Sequence, residues 1–235
     1  MRSLASQSVA ELGGPISVLA RQKRDHVRLD ELLGELSATP PADQDQVLRR
    51  IYRLVFPHAF AEESVLWPVI RRVLPDGDQL TLLIEQEHQE VNELVTALEQ
   101  VAVDAPERPR TLARLVQVLR EDVRDEEDQL LPRLQAALNT NQLRGLGVAW
   151  ETVRRTAPTR AHPVVARRPP GNVAAAVPLS AIDRLRDGVD LALQRGPTRG
   201  LAAWKNLSRG LTGLAHRVER LPLMRRGEHP STRRN

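Results

Sequence analysis

The sequence predicts an all-α protein whose main part is an up-down-up-down four-helix bundle. Aromatic residues make up only 3% of the chain, while leucine, valine and alanine are plentiful, a composition that suits helix-on-helix packing. Apolar residues recur at helical spacing in four long segments, which are joined by short stretches rich in proline and aspartate. Because short connections place consecutive helices antiparallel, these segments predict a bundle.

The four predicted helices cover residues 15–37, 43–74, 80–103 and 110–138. Each carries apolar residues at intervals of three and four along one face. Pro57 interrupts the second segment one residue before His58, and a proline inside a helix removes a backbone hydrogen bond. We therefore expect the second helix to be kinked or broken at this point.

One stretch of sequence occurs twice, as residues 58–68 (HAFAEESVLWP) and 122–132 (DVRDEEDQLLP). Both copies place a side chain that can bind a metal four residues before a glutamate, and in a helix the two groups project from one face. A lone histidine precedes each copy, His26 the first and His88 the second. The sequence therefore predicts two helical hairpins with the same arrangement of polar groups.

The repeated polar groups predict a metal site inside the bundle. They would meet near the bundle axis if the four helices align their repeats: His26, His58, Glu62, His88, Asp122 and Glu126. The chain has no cysteine, so thiolate sites are excluded, and imidazole with carboxylate suits iron, manganese or zinc. Burying so many ionisable groups without a metal would be strongly destabilising.

In these residues the chain resembles the hemerythrin-like (HHE cation-binding) domains, whose signature is a lone histidine followed by H-x-x-x-E, twice, on successive helices. The resemblance covers residues 15–139 and includes the second glutamate and the Leu-x-Pro ending of both copies. It implies a non-haem di-iron centre with these ligands: Glu62 and Glu126 as bridging carboxylates, His26 and His58 on one iron, and His88 on the other.

Asp122 departs from the family pattern, because it stands where the second H-x-x-x-E should begin with histidine. An anionic oxygen in place of a neutral nitrogen favours a ferric ion and weakens reversible dioxygen binding. We therefore expect either two irons per chain, with Asp122 as a ligand, or one iron around His26, His58 and Glu62. Two neighbouring glutamates, Glu63 and Glu127, are expected to support the ligands or to lie at the surface.

Three functions remain open at this point. The first is a non-haem iron protein that binds or senses O2, NO or peroxide, or responds to iron or oxidative stress. The second is an iron-dependent, catalase-like enzyme that consumes peroxide. The third is a metal-free, degenerate bundle that acts as an interaction module through its basic tail. We favour a metal-binding sensor over an enzyme.

The charge distribution divides the chain into regions. Residues 1–140 hold 16 Lys and Arg against 24 Asp and Glu, whereas residues 141–235 hold 18 against 6. We interpret residues 1–150 as the metal-binding bundle, 151–179 as a linker rich in Pro, Ala and Arg, and 180–235 as a basic helical extension.

The predicted extension has an amphipathic helix at 201–221, with Trp204 and leucines opposite arginines. Three partners fit residues 180–221: another subunit or protein, an anionic membrane surface, or an acidic partner such as nucleic acid. No helix-turn-helix or stacking-aromatic motif is present, so we do not expect sequence-specific nucleic-acid binding.

We expect a cytoplasmic location, with peripheral membrane contact as an alternative, because the sequence has neither a long apolar run nor the apolar core of a signal peptide. Lys23 and Lys205 are the only lysines beside many arginines, which indicates a GC-rich bacterial genome.

Overall fold

The protein is all-helical in the residues that the computed structural model describes, 1–195 and 201–233. The helices are α1 (Val18–Ala38), α2 (Gln44–Ala61), α3 (Trp67–Val73), α4 (Gly77–Gln100), α5 (Arg108–Asp125), α6 (Leu131–Ala137), α7 (Thr140–Thr156), α8 (Gly171–Arg195) and α9 (Leu201–Glu219). A π turn, Glu62–Leu66, joins α2 to α3, and another, Glu126–Leu130, joins α5 to α6. Helices α1, α2–α3, α4 and α5–α6 form the predicted bundle.

The bundle core consists of two apolar clusters separated by a polar layer. One cluster lies near the start of α1 and includes Leu19, Leu66 and Trp67. The other includes Leu29 and Leu119. On each helix the predicted metal ligand lies between residues of the two clusters, so the sequence spacing itself places the ligands at one level of the bundle.

The two π turns are the main irregularity of the bundle. Helix α2 continues through Pro57 without a break, so the expected break is wrong, and the wider turn begins five residues later. In each copy of the repeat a proline follows the π turn, Pro68 in the first and Pro132 in the second. A proline ring clashes with the carbonyl four residues earlier, and here that carbonyl lies within the wider turn, which relieves the clash.

Helix α7 was not predicted by the sequence analysis. It begins with a capping box, in which the Asn139 side chain accepts from the Gln142 N–H and the Gln142 side chain accepts from the Asn139 N–H. It packs against α1 and α2. Gly147 makes this possible, because a Cβ there would lie 1.9 Å from the Ile16 carbonyl oxygen. Trp150, one turn later, is fully buried.

The region expected to be a linker is ordered where it follows α7. Its arginines contact the bundle: Arg167 donates to the Gln89 side chain, and Arg168 forms an ion pair with Glu85. Helix α8 begins at Gly171, whereas the sequence predicted a helix only from Ser180. These long-range contacts explain the order, although the division into regions 1–150, 151–179 and 180–235 remains a prediction.

Helices α8 and α9 pack together around a small apolar cluster that includes Leu179, Ile182 and Ala215. Other apolar residues of α9 remain exposed, among them Trp204, Leu207 and Leu214. Among the residues with described structure, no helix combines the length and the apolar character needed to cross a membrane.

Candidate metal centre

The structure brings all six predicted ligands together in the polar layer. Their potential ligand atoms fall into two groups, each with all atoms within 4.8 Å of one another. The first contains His26, His58, Glu62 and Glu126, and the second contains His88, Asp122 and Glu126. Glu126 belongs to both groups, so the arrangement contains two adjacent potential metal positions.

Glu62 also faces both positions. Its Oε1 lies 3.1 Å from His58 Nε2, and its Oε2 lies 3.7 Å from His88 Nε2. On the opposite side of the bundle, Glu126 Oε2 lies 3.2 Å from His26 Nε2. A carboxylate whose two oxygens point to different histidines is suited to bridge two ions.

Asp122 lies inside the centre, where the family pattern has histidine. Its Oδ1 is 3.5 Å from His88 Nε2, on the side of the bundle that carries the second group. The shorter aspartate thus reaches the same region as an imidazole would, and it offers oxygen in place of nitrogen.

The three histidines share one orientation, because each is held at Nδ1 by an outer carboxylate. His26 Nδ1 is 2.9 Å from Glu127, His88 Nδ1 is 2.9 Å from Glu63, and His58 Nδ1 is 3.4 Å from Asp25. These contacts leave every Nε2 facing the centre. Metal-binding histidines are commonly oriented by such carboxylates, which also raise the basicity of the ligand.

The π turns place two of these outer carboxylates. In an undistorted α-helix, Glu63 and Glu127 would be rotated away from the ligand face, which is why the sequence analysis left a surface position open for them. Both are buried, since each lies in a π turn directly after the inner glutamate. Asp25, the third, was missed; its position directly before His26 gives no periodic signal.

The donor set fits a metal ion. Both oxygens of Glu62, both oxygens of Glu126 and Oδ1 of Asp122 are buried and make no hydrogen bond. Buried carboxylate oxygens without a donor are strongly unfavourable. A cation placed among them would satisfy these oxygens together with the imidazole nitrogens, and the mixture of nitrogen and oxygen suits iron, manganese or zinc.

The electrostatics of the cluster reflect the same crowding. Burial alone would lower the pKa of His26, but the adjacent Glu126 and Glu127 carboxylates outweigh it and raise this pKa to about 9. Burial also lowers the pKa of His88, which Asp122, Glu63 and Glu62 raise to about 10. An imidazole with a raised pKa must lose its proton before it can bind an ion through Nε2.

Among the carboxylates, burial and the charges of neighbouring acids raise the pKa of Glu62 and Asp122 above their ordinary values. Burial would raise the pKa of Glu126 too, but the neighbouring His26 reverses this effect and holds it below the ordinary value. The ionisation of each carboxylate therefore depends strongly on the charges of its neighbours, as expected where like charges converge on one site.

Two large aromatic residues lie against histidines of the centre. The ring of Trp150 on α7 meets the ring of His58 edge-on, with centroids 5.3 Å apart. Trp67 stacks on His88 with centroids 6.3 Å apart. Both indoles are fully buried, so they exclude water from this face of the polar layer.

A bundle that holds histidines and carboxylates in one buried layer defines a cation-binding helical protein. The family model described as the hemerythrin HHE cation binding domain matches residues 17–134, half of the chain. The chain belongs to this family, and the resemblance drawn from its sequence is confirmed.

Two relatives show how far the similarity extends. A hemerythrin-like protein of Schizosaccharomyces pombe is 25% identical over 131 residues, which are 55% of this chain and 64% of that protein. A DNA nickase of Nostoc sp. is 29% identical over 121 residues, which are 51% of this chain and 34% of the nickase. The chain thus spans less than two thirds of the length of either relative. No solved structure matches the chain.

Proposed function

We propose that the chain binds two iron ions in the polar layer and uses them to bind or sense a small ligand: O2, NO or peroxide. The observation that carries this proposal is the sharing of carboxylates, since Glu126 belongs to both ligand groups and Glu62 faces two histidines. In this proposal His26, His58, Glu62 and Glu126 hold one ion, and His88, Asp122, Glu62 and Glu126 hold the other.

Iron held by these donors would act as a redox-active Lewis acid that binds small oxygen and nitrogen ligands. The protein's own contribution is orientation and exclusion of water. Asp25, Glu63 and Glu127 fix the imidazoles, and Trp67 and Trp150 keep the surroundings apolar. Outer groups of this kind control both the affinity for the metal and its redox behaviour.

A cavity supports the assignment of a small ligand. It has a volume of about 500 Å³, lies between α1 and α5, and is lined in part by His26 and Glu127. Its other walls include the apolar residues Leu119 and Val123. Charged side chains, among them Lys23 and Arg124, line it as well. A small molecule can therefore approach the outer edge of the centre through an opening with both polar and apolar walls.

Metal content tests the proposal directly. Iron would be measured by elemental analysis on protein purified without added metal, and again after anaerobic loading with ferrous ion. We expect two irons per chain in the native protein, about one in Asp122→Asn, and fewer than one in Glu126→Gln. Asp128→Asn is the matched control, because Asp128 is exposed in the same π turn. Native protein that holds no iron after loading would refute the proposal.

Ligand binding separates the sensor from the alternative, a catalase-like enzyme. Anaerobic ferrous protein would be titrated with NO while the visible spectrum is recorded, and peroxide turnover would be measured on the same preparation. A stoichiometric spectral change with negligible turnover supports a sensor. Turnover that His58→Ala abolishes would support the enzyme instead.

The binding of residues 180–221 to another protein, a second copy or an anionic membrane stays a prediction. The exposed apolar residues of α9 favour such a contact. Co-sedimentation of the full chain with anionic liposomes tests the membrane partner, with Trp204→Ser as the variant expected to weaken binding.

A further inference from the structure

The carboxylate that orients His58 also faces two arginines. Asp25 Oδ2 lies 3.4 Å from His58 Nδ1 and 3.7 Å from Nε of Arg154 on α7. Its other oxygen accepts from Arg24 at 2.8 Å. The Asp25 side chain is only 6% exposed, so water screens these charges little. One carboxylate oxygen therefore faces an imidazole and a guanidinium group at the same time.

His88 has the same arrangement, built from a different segment. Glu63 Oε1 lies 2.9 Å from His88 Nδ1 and 3.9 Å from Nη1 of Arg167. Arg167 follows α7 in the chain, and its guanidinium group donates to the Gln89 side chain on α4 at 2.8 Å. Both Glu63 and Arg167 are largely buried. Here too, one carboxylate oxygen faces both an imidazole and a guanidinium group.

His26 differs from the other two histidines. Glu127 Oε1 lies 2.9 Å from its Nδ1, but no lysine or arginine within residues 1–195 and 201–233 lies at ion-pair distance from Glu127. This carboxylate instead lines the cavity between α1 and α5. The three histidines therefore share one geometry at Nδ1 but have different electrostatic surroundings.

Both arginines come from the part of the chain that follows the match to the family domain, which ends at residue 134. The guanidinium group of Arg154 lies over the Trp150 ring, 5.4 Å from its centroid. The backbone N–H of Arg167 donates to Glu228, close to the C-terminal end. The C-terminal part of the chain thus supplies cations to a centre whose predicted ligands all lie in the bundle.

Arginines outnumber carboxylates around Asp25. The other acid there is Glu151, which lies 3.0 Å from Arg154. Against these two carboxylates stand four guanidinium groups, those of Arg21, Arg24, Arg154 and Arg155. The charge of Arg154 is therefore not cancelled by Glu151. At Glu63 the balance differs, because Arg167 also contacts Glu228.

We propose that Arg154 and Arg167 weaken the hydrogen bonds from His58 and His88 to their outer carboxylates and thereby raise the reduction potential of the iron centre, an inference that rests on the proposed binding of iron. A carboxylate at Nδ1 raises the basicity of a ligand imidazole, and a more basic ligand favours ferric ion. An arginine beside the carboxylate reduces this effect. Its positive charge also favours the less charged ferrous ion, so both effects act in one direction.

A dye-mediated redox titration of the iron-loaded full chain tests the proposal. We expect a lower midpoint potential in Arg154→Gln than in the native protein, with the same iron content. Arg167→Gln should shift the potential less but in the same direction, because Glu228 offsets part of the Arg167 charge. Arg154→Lys keeps the positive charge and should retain most of the native potential. Arg155→Gln is the matched control, since Arg155 is the next residue of α7, is 73% exposed and pairs with Glu151.

A measurement without iron separates this inference from the proposed function. In chelator-treated full chain labelled with 15N-histidine, the proton on His58 Nδ1 should resonate further downfield in Arg154→Gln, because Asp25 then accepts a stronger hydrogen bond. The corresponding His26 resonance should stay in place. If the native chain binds no iron, the proposed function fails, and the His58 resonance still decides whether Arg154 acts on Asp25.

The proposal is overturned if Arg154→Gln leaves the His58 resonance where it is in the native protein. It is equally overturned if Arg154→Gln holds the native amount of iron at an unchanged or higher midpoint potential, or if Arg155→Gln lowers the potential as much. Loss of structure alone would not reproduce the expected pattern, because Arg154→Lys removes the same packing at the guanidinium group and keeps the charge.

Discussion

Replacing Gly147 by alanine should destabilise the protein and disturb the metal centre, although alanine favours helix. A Cβ at this position would lie 1.9 Å from the Ile16 carbonyl oxygen and 2.7 Å from the Val18 nitrogen. Ordinary contacts between carbon atoms are about 3.5–4.0 Å, so α7 must move away from the start of α1 by roughly 1–2 Å. Because Trp150 lies one turn further along α7, its contact with His58 moves as well.

The size of the effect follows from two opposing terms. Alanine in place of glycine stabilises a helix interior by about 0.5–1 kcal/mol, whereas overpacking a tight site costs about 1–3 kcal/mol or more. The second term prevails here because the clash is with backbone, which cannot rotate away. The expected net loss is about 1–2 kcal/mol, or a melting temperature lower by about 2–8 °C for a chain of this size.

Gly145 provides the matched control. It lies in the same helix, and a Cβ there meets nothing within 4 Å. Gly145→Ala should therefore leave stability unchanged or raise it by up to about 1 kcal/mol. Thermal unfolding followed by circular dichroism measures both variants, and iron content reports on the centre. If Gly147→Ala proves as stable as Gly145→Ala, the close approach of α7 to α1 is not as described.

Three other changes test separate parts of the structure. Glu127→Gln should weaken iron affinity by about 10–100-fold, since outer carboxylates of metal-binding histidines have effects of this size; competition with a chelator measures it, and Asp128→Asn should match the native protein. Val27→Trp, at an exposed position, should narrow the cavity beside His26 and slow NO binding in stopped-flow mixing without changing iron content, and an unchanged rate would remove this cavity as the access path. The pKa of His162 is lowered by burial but raised more strongly by Asp183 and Glu219, to about 9. Since this lies above the value of about 6.5 in an unfolded chain, His162 should contribute up to about 3 kcal/mol below pH 6.5 and lose this contribution as the pH rises through 9. The difference in unfolding free energy between the native protein and His162→Gln should shrink over that interval, and a difference independent of pH would contradict the assignment.

The sequence predicted the bundle well because the relevant signals are periodic and local. The four helices were placed within a few residues of their observed ends, since each carries a continuous apolar stripe. The six predicted ligands lie together because the repeat fixes their spacing along the helices. Their role as ligands still awaits the metal analysis.

The features that the sequence analysis did not predict depend on contacts between residues distant in the sequence or on local irregularity of the helices. The burial of Glu63 and Glu127 follows from π turns, which a regular helical projection does not include. Helix α7 was overlooked, although Asn139 and Gln142 form a capping box that could have marked its start. The segment after it has no periodicity, and its order comes from Arg167 and Arg168 reaching α4.

His162 is a single residue whose contacts the sequence could not predict, because its partners are distant in the chain. In the sequence, no acidic residue lies near His162 at the spacing of metal ligands, so the sequence alone predicts no role for it. In the structure it is buried between Asp183 of α8 and Glu219 of α9. It joins three segments through partners 21 and 57 residues away, so only the folded chain reveals the arrangement.

The polar layer has a consequence for how the protein unfolds. The two apolar clusters on either side of it are separately packed bodies that share continuous helices but little side-chain contact through the layer of charges. A bound ion at this level would link the two clusters. Removing the ion would thus leave the helical content nearly unchanged but weaken the cooperativity of unfolding. Each end of the bundle would then unfold separately.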